Sequence, residues 1–215
     1  MTLSLAQIIP FLLLAARWTL LLAAIAFVGG GIGATLLLLW RYGAPRVGLR
    51  VTSAYIQLLQ GTPLLLQLFL VFFGLPMLGV DVAPLTAASI ALTLYASAFL
   101  AEIWRGCVDA IPRGQWDASA SIGLKYLGQM RHVILPQALN IAIPPTVGFL
   151  VQLLKSTALA SIVGFDELTR AGQIVANATF KPFVVYGLVA LIYFAMCYPL
   201  TMGARYLERR LRVSR

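Results

Sequence analysis

The sequence predicts an all-α membrane protein with about five spanning helices and one short helix outside the bilayer. Of its 215 residues, 60% are hydrophobic and only 11% are charged, against about half apolar and a quarter charged in a soluble domain. The mean hydropathy of +0.90 says the same. Apolar windows recur at about 20 residues, the length a helix needs to cross a hydrocarbon core of roughly 30 Å. Basic residues gather in excess at the ends of those windows on one side.

Taken in order, the windows run over 18–40, 51–73, 84–105, 135–162 and 182–204. The stretch Leu3 to Leu39 holds a single charge, Arg17, has no basic leader and exceeds the length of a signal-peptide core, so it reads as a retained span. Breakers separate the first three windows: Arg41 to Arg50, then Gly74-Leu75-Pro76. Glu102 lies inside the third window and Lys155 inside the fourth. Cys107, at the end of the third span, and Cys197, in the fifth, suit buried packing better than a disulfide framework.

The net charge of +9 first suggests a polyanionic partner such as nucleic acid, but the placement of the charges excludes it. Arg41, Arg46, Arg50, Arg105, Arg113, Lys125, Arg131 and the run Arg205 to Arg215 fall on one side of the five-span arrangement. The other side holds Arg17, Lys155, Arg170 and Lys181, with Asp81, Asp166 and Glu167 beside them. Cytoplasmic loops carry such an excess, which puts the N-terminus outside and the C-terminus in the cytoplasm of a multi-pass protein. The terminal basic run also suits acidic lipid headgroups. No internal repeat or soluble domain interrupts the chain, which reads as one domain over 1–215.

The segment after the third window is too long and too periodic to be a connector. Trp116, Ala120, Leu124 and Leu127 recur at helical spacing, with Asp117, Ser121 and Lys125 on a neighbouring stripe. A cytoplasmic amphipathic helix over about 115–127 follows, with Asp117 in its first turn, Gly123 as a notch and Gly128 at its end. Such a helix docks into a groove on a soluble partner or rests on lipid headgroups.

The same loop runs on into Leu135-Pro136-Gln137-Ala138, and the whole resembles the EAA motif of ATP-binding cassette (ABC) importer permeases of the polar amino acid type. That motif is carried here by Gly114, Gln115, Asp117, Ala118, Ser119 and Gly123, with Asp117 in place of Glu and Ser119 in place of the second Ala. Gly61-Thr62-Pro63-Leu64-Leu65, Ala101-Glu102-Ile103-Trp104-Arg105-Gly106 and Lys155-Ser156-Thr157-Ala158-Leu159 are similar to further patterns of that subfamily. Two small departures are Gln60 where Arg is usual and Ala158 where Ser is common.

The resemblance implies a type I ABC importer transmembrane domain in the bacterial cytoplasmic (inner) membrane. It implies a cassette ATPase dimer seated on the coupling helix, a periplasmic or lipid-anchored amino-acid-binding protein, and a second permease subunit, a copy of this chain or a paralogue. No cofactor is expected on this chain, which has no Gly-x-x-x-x-Gly-Lys-Ser/Thr loop; ATP and Mg²⁺ belong to the partner ATPase. An ion-gradient-driven secondary transporter of small polar solutes is the alternative, though the inverted repeats that such a fold shows are missing.

Ionisable groups inside a span are costly and therefore candidates for function. An amino acid presents an ammonium and a carboxylate, which Glu102 and Lys155 complement. Two readings stand for each: Glu102 lies three residues from Arg105 and can pair with it, and Lys155 can extend to the outer surface. A fourth helix beginning at Pro136 carries Lys155 about 28 Å up, whereas one beginning at Pro145 carries it about 15 Å up, near midplane. Thr62, Gln67 and Ser156 are the remaining polar candidates for a substrate path. The run Gly29-Gly30-Gly31-Ile32-Gly33 lies in an apolar span without a following Lys and reads as close helix packing. Asp166 and Glu167 read as a solvated cap of a short external helix, and the lone His132 as structural.

Overall fold

A computed structural model describes residues 4–212, so Leu3 and Arg215 of the segments named above lie outside the described residues. All the regular structure in that range is helical.

Helix α1 (Leu5–Gly43) is 39 residues long, about 58 Å, and begins well before the expected Trp18. It lies against α4 (Pro84–Asp109) along a seam of small residues. A Cβ on Gly30 would stand 2.5 Å from Ala96 Cβ, one on Gly33 2.8 Å from Ser97 Cβ, and one on Gly29 2.9 Å from Thr93 Cγ2. The two backbones can meet only because those side chains are missing, the means by which helices associate in lipid without a hydrophobic driving force. Tyr95, Phe99 and Phe149 extend the core from α4 toward α7, with Phe99 and Phe149 stacked at 5.6 Å.

The window over 51–73 is not one helix. Helices α2 (Pro45–Gly61) and α3 (Leu64–Met77) meet at a 99° bend. Pro63 supplies no N–H and forces the preceding residue out of the helical region; Thr62 accordingly has φ −115 and ψ 141. The carbonyls freed at the end of α2 are taken up by one side chain, since Gln67 Nε2 donates to the carbonyl oxygens of Leu59 (2.7 Å) and Thr62 (3.1 Å) and to Thr62 Oγ1 (2.9 Å). Among the described residues, four helices are long and apolar enough to cross a membrane, or five if the bent pair is one span.

A knuckle, formed by α5 (Arg113–Ser121), α6 (Tyr126–Gln129) and a π turn over Met130–Ile134, leads into α7 (Leu135–Ser156). Helix α7 runs through Pro144 and Pro145 without a break, so the later start at Pro145 is not taken. Lys155 therefore stands about 30 Å from the beginning of α7. A 3-10 segment, Thr157–Val163, follows and ends at Gly164, whose φ of +86 lies in the left-handed region that favours glycine. Helix α8 (Leu168–Thr179) then packs between the N-terminal part of α1 and the first half of α9 (Pro182–Arg212), joining Leu12, Leu168, Val175, Val185 and Val189 in a second core. Cys107 is buried and Cys197 half-buried, both as free thiols.

Candidate coupling loop and transport groove

The helix after α4 ends earlier than its sequence period suggests. Helix α5 stops at Ser121, so the expected helix over 115–127 and its continuous apolar stripe are not formed. Gly123 has φ +82; its N–H donates to the carbonyl of Ala120 (2.9 Å) while the N–H of Leu124 reaches back to Ser119 (3.2 Å). This pair of bonds is the Schellman ending, which needs a residue without a Cβ clash at the left-handed position. Gly123 is thus a helix terminator rather than a notch. Gly128, expected to end the helix, lies within α6.

Individual side chains of the motif divide into tethers and exposed groups. Ser119 is buried, its Oγ donating to the Trp116 carbonyl at 2.8 Å. Trp116 packs on Val108, Ile111, Met130 and Ile134 and stacks on Tyr126 at 6.2 Å. Asp117 stands in the second turn rather than the first and is exposed, as are Gly114, Gln115 and Ala118. The tip beyond α5 carries two bare apolar side chains, Ile122 at 75% and Leu127 at 80% exposure. The sequence period does not single out either one: Ile122 lies outside it, and Leu127 belongs to a stripe that the Gly123 turn breaks.

Gln137, in the Leu-Pro-Gln-Ala stretch at the head of α7, links this loop to the spans. Its Nε2 donates to Gln115 Oε1 at 3.2 Å and to the Val133 carbonyl at 2.7 Å. Both glutamines line an open groove of about 1150 Å³ between α7 and α9. Asn140, Lys155, Thr201, Arg205 and Glu208 add polar and charged groups of both signs to the same walls. Polar groups converging on one concave surface are what a site for a small polar solute requires.

The five candidate substrate residues do not converge. Lys155 is exposed to the groove. Ser156 bonds the Gln152 carbonyl of its own helix at 3.0 Å. Glu102 is held on both oxygens by Arg105, through Nε at 3.0 Å and Nη2 at 2.5 Å, so the local pair is formed. Asp109 engages the same guanidinium from the other side. Thr62 bonds the Leu58 carbonyl at 2.8 Å, and with Gln67 it caps the helix break instead of lining the groove. His132 Nδ1 lies 3.1 Å from the Gly128 carbonyl, a turn contact. Among the described residues, no group of three or more His, Cys, Asp or Glu is arranged to hold a metal.

Residues 40–213 match the family of binding-protein-dependent transport system inner membrane components. The chain belongs to this family. A probable amino-acid ABC transporter permease, YckA of Bacillus subtilis, is 32% identical over 94% of the chain and 89% of its own length. The L-cystine transport system permease TcyB of the same organism is 36% identical over 90% and 83%, and the glutamine transport system permease GlnP of Escherichia coli 32% identical over 95% and 94%. Among solved structures, a chain of an amino acid ABC transporter with histidines superposes with a TM-score of 0.91 at 32% identity, covering 98% of this chain and all of that one. A chain of the MetNI methionine ABC transporter in an inward-facing conformation gives 0.74 at 21% identity and shares the fold. The resemblance read from the loop and the importer fold class are both borne out, and nothing in these relatives supports a gradient-driven secondary transporter. The permease is an ABC importer subunit of the inner membrane.

Proposed function

We propose that this permease carries polar amino acids inward, driven by ATP hydrolysis on a separate cassette ATPase dimer that holds the ATP and Mg²⁺. The observation that carries the coupling is the α5 knuckle: a helix closed by a left-handed glycine, presenting bare Ile122 and Leu127 on the basic side of the chain. Exposed apolar groups on a rigid, polar-rimmed loop suit a protein partner, which Asp117, Gly114 and Ala118 flank. The Gln115 to Gln137 bond passes displacement of α5 to α7, the helix that carries Lys155.

A separate binding protein delivers the substrate, and a second permease subunit, identical or paralogous, closes the open side of the α7–α9 groove. Lys155 meets the substrate carboxylate there through a charge-assisted hydrogen bond. The name of an amino acid transporter on several relatives supports this substrate class.

The test is reconstitution of the permease with its ATPase and binding protein in proteoliposomes. Gly123→Arg is expected to abolish ATP-dependent uptake while the protein still inserts, because a side chain at φ +82 strains the turn and fills the docking surface. Full uptake by that variant would remove the loop from the coupling path. ATPase activity accelerated by sugars or metal ions but by no amino acid would overturn the substrate class.

A further inference from the structure

Glu167 was expected at the surface, yet its residue is fully buried. It stands at the N-cap of α8, where Oε1 accepts the Arg170 N–H at 2.9 Å. Oε2 accepts from Tyr193 Oη of α9 at 2.8 Å and from Thr19 Oγ1 of α1 at 3.4 Å. Thr19 Oγ1 in turn accepts the Leu168 N–H at 3.1 Å, and Thr169 Oγ1 lies 3.1 Å from Tyr193 Oη. One carboxyl therefore joins α1, α8 and α9.

Among the described residues, no cation pairs with it. Arg170, on the same helix, turns its guanidinium to Gln173 at 2.9 Å. Arg17 of α1 lies over the Trp18 ring at 5.4 Å. Asp166 beside it is exposed, and Lys155 at the end of α7 faces the groove. The 3-10 segment brings Thr157 against Tyr193 as an uncharged hydroxyl whose proton goes to the Leu154 carbonyl; the titratable group on α9 is Tyr193.

A buried carboxylate without a counter-charge is costly, whereas the protonated acid is not. The surroundings accept either form. Ionised, Glu167 receives the two hydroxyl protons on Oε2. Protonated on Oε2, it donates to Tyr193 Oη, which reverses and donates to Thr169 Oγ1. The carboxyl stays bonded to Tyr193 and to the Arg170 N–H in either state, and the ionised one alone carries an uncompensated buried charge, which works against the packing.

We propose that Glu167 is a proton-binding site that latches α8 onto α1 and α9, closed when the carboxyl is protonated and loosened when it ionises. Burial pushes this carboxyl above the usual carboxylate range, ahead of the hydrogen bonds that lower it. The sign follows: a raised folded-state value stabilises the packed arrangement at low pH, and that stabilisation is lost as the pH rises through it.

Hydrogen exchange on the full-length permease in lipid nanodiscs tests this, read at the α8 amides from about pH 5 to about pH 8 after correction for intrinsic exchange. The wild type should exchange faster at the alkaline end by about fivefold or more. Glu167→Gln, which mimics the neutral acid, should stay protected throughout. Wild-type protection that ignores pH overturns the proposal, as does an unchanged pH dependence in Glu167→Gln. Should that variant fail to insert, Tyr193→Phe serves: it removes a donor to the ionised form and should move the wild-type midpoint to higher pH. An unmoved midpoint rejects the site.

Discussion

A methyl group at position 30 has no space to occupy. An added Cβ there stands 2.5 Å from Ala96 Cβ and 3.1 Å from the Ala96 backbone carbon, so two helices rather than one flexible side chain must yield. Gly30→Ala is expected to destabilise the permease by about 1–3 kcal/mol. Gly187→Ala, where nothing lies within 4 Å inside α9, should be neutral or stabilising by up to about 1 kcal/mol. Thermal unfolding midpoints in one detergent decide the matter, and equal midpoints for the two variants would show that the α1–α4 seam is loose. This glycine seam was legible because small residues crowded into an apolar window have few uses besides close packing. The burial of Glu167 was not legible, because its partners come from distant segments, Tyr193 of α9 and Thr19, which lies 148 residues away in sequence. Lys155 and Glu102 were found as intramembrane charges, but which way each side chain turns depends on Arg105 and on the course of α7.

The elements were legible where a breaker acts alone and illegible where it acts through a partner. The apolar residues on both sides of Gly61-Thr62-Pro63 read as one span because hydropathy has no sense of direction, while the 99° bend depends on Pro63 and on the reach of Gln67 back over the break. Helix α5 was extended too far for a similar reason: the period runs on past Gly123, but the backbone turns left-handed there and two reversed hydrogen bonds close it. If Gln67 holds the break, its loss must be felt at the end of α2. Gln67→Leu leaves the Leu59 and Thr62 carbonyls without this donor, which costs about 1–3 kcal/mol when such groups stay buried. Hydrogen exchange over residues 57–61 should quicken in that variant and stay as in the wild type for Gln57→Leu, whose side chain is exposed. Identical exchange in the two would mean that Pro63 alone sets the bend.

For the whole molecule, the bent pair decides the parity of the fold. Counted as a crossing, α2 and α3 bring the spans to five; counted as a re-entrant loop, they leave four and put both termini on one side. The charges discriminate between the two. No Lys or Arg occurs between Arg50 and Arg105, so the turn around Asp81 has none of the basic residues that mark a cytoplasmic loop. A re-entrant pair would also carry α4 outward and place Arg105, Arg113, Lys125 and Arg131 outside, against the same bias. The crossing therefore predicts Asp81 outside and the α5 knuckle inside. With Cys107 and Cys197 replaced by Ser, a cysteine at the exposed position 81 should react with a membrane-impermeant maleimide in intact cells. One at the exposed position 121 should react only after the inner membrane is opened. Labelling of position 121 in intact cells would put the knuckle on the wrong side for a cytosolic ATPase. The coupling reading would then fail with the topology, because a docking surface for that partner has to face the compartment where ATP is.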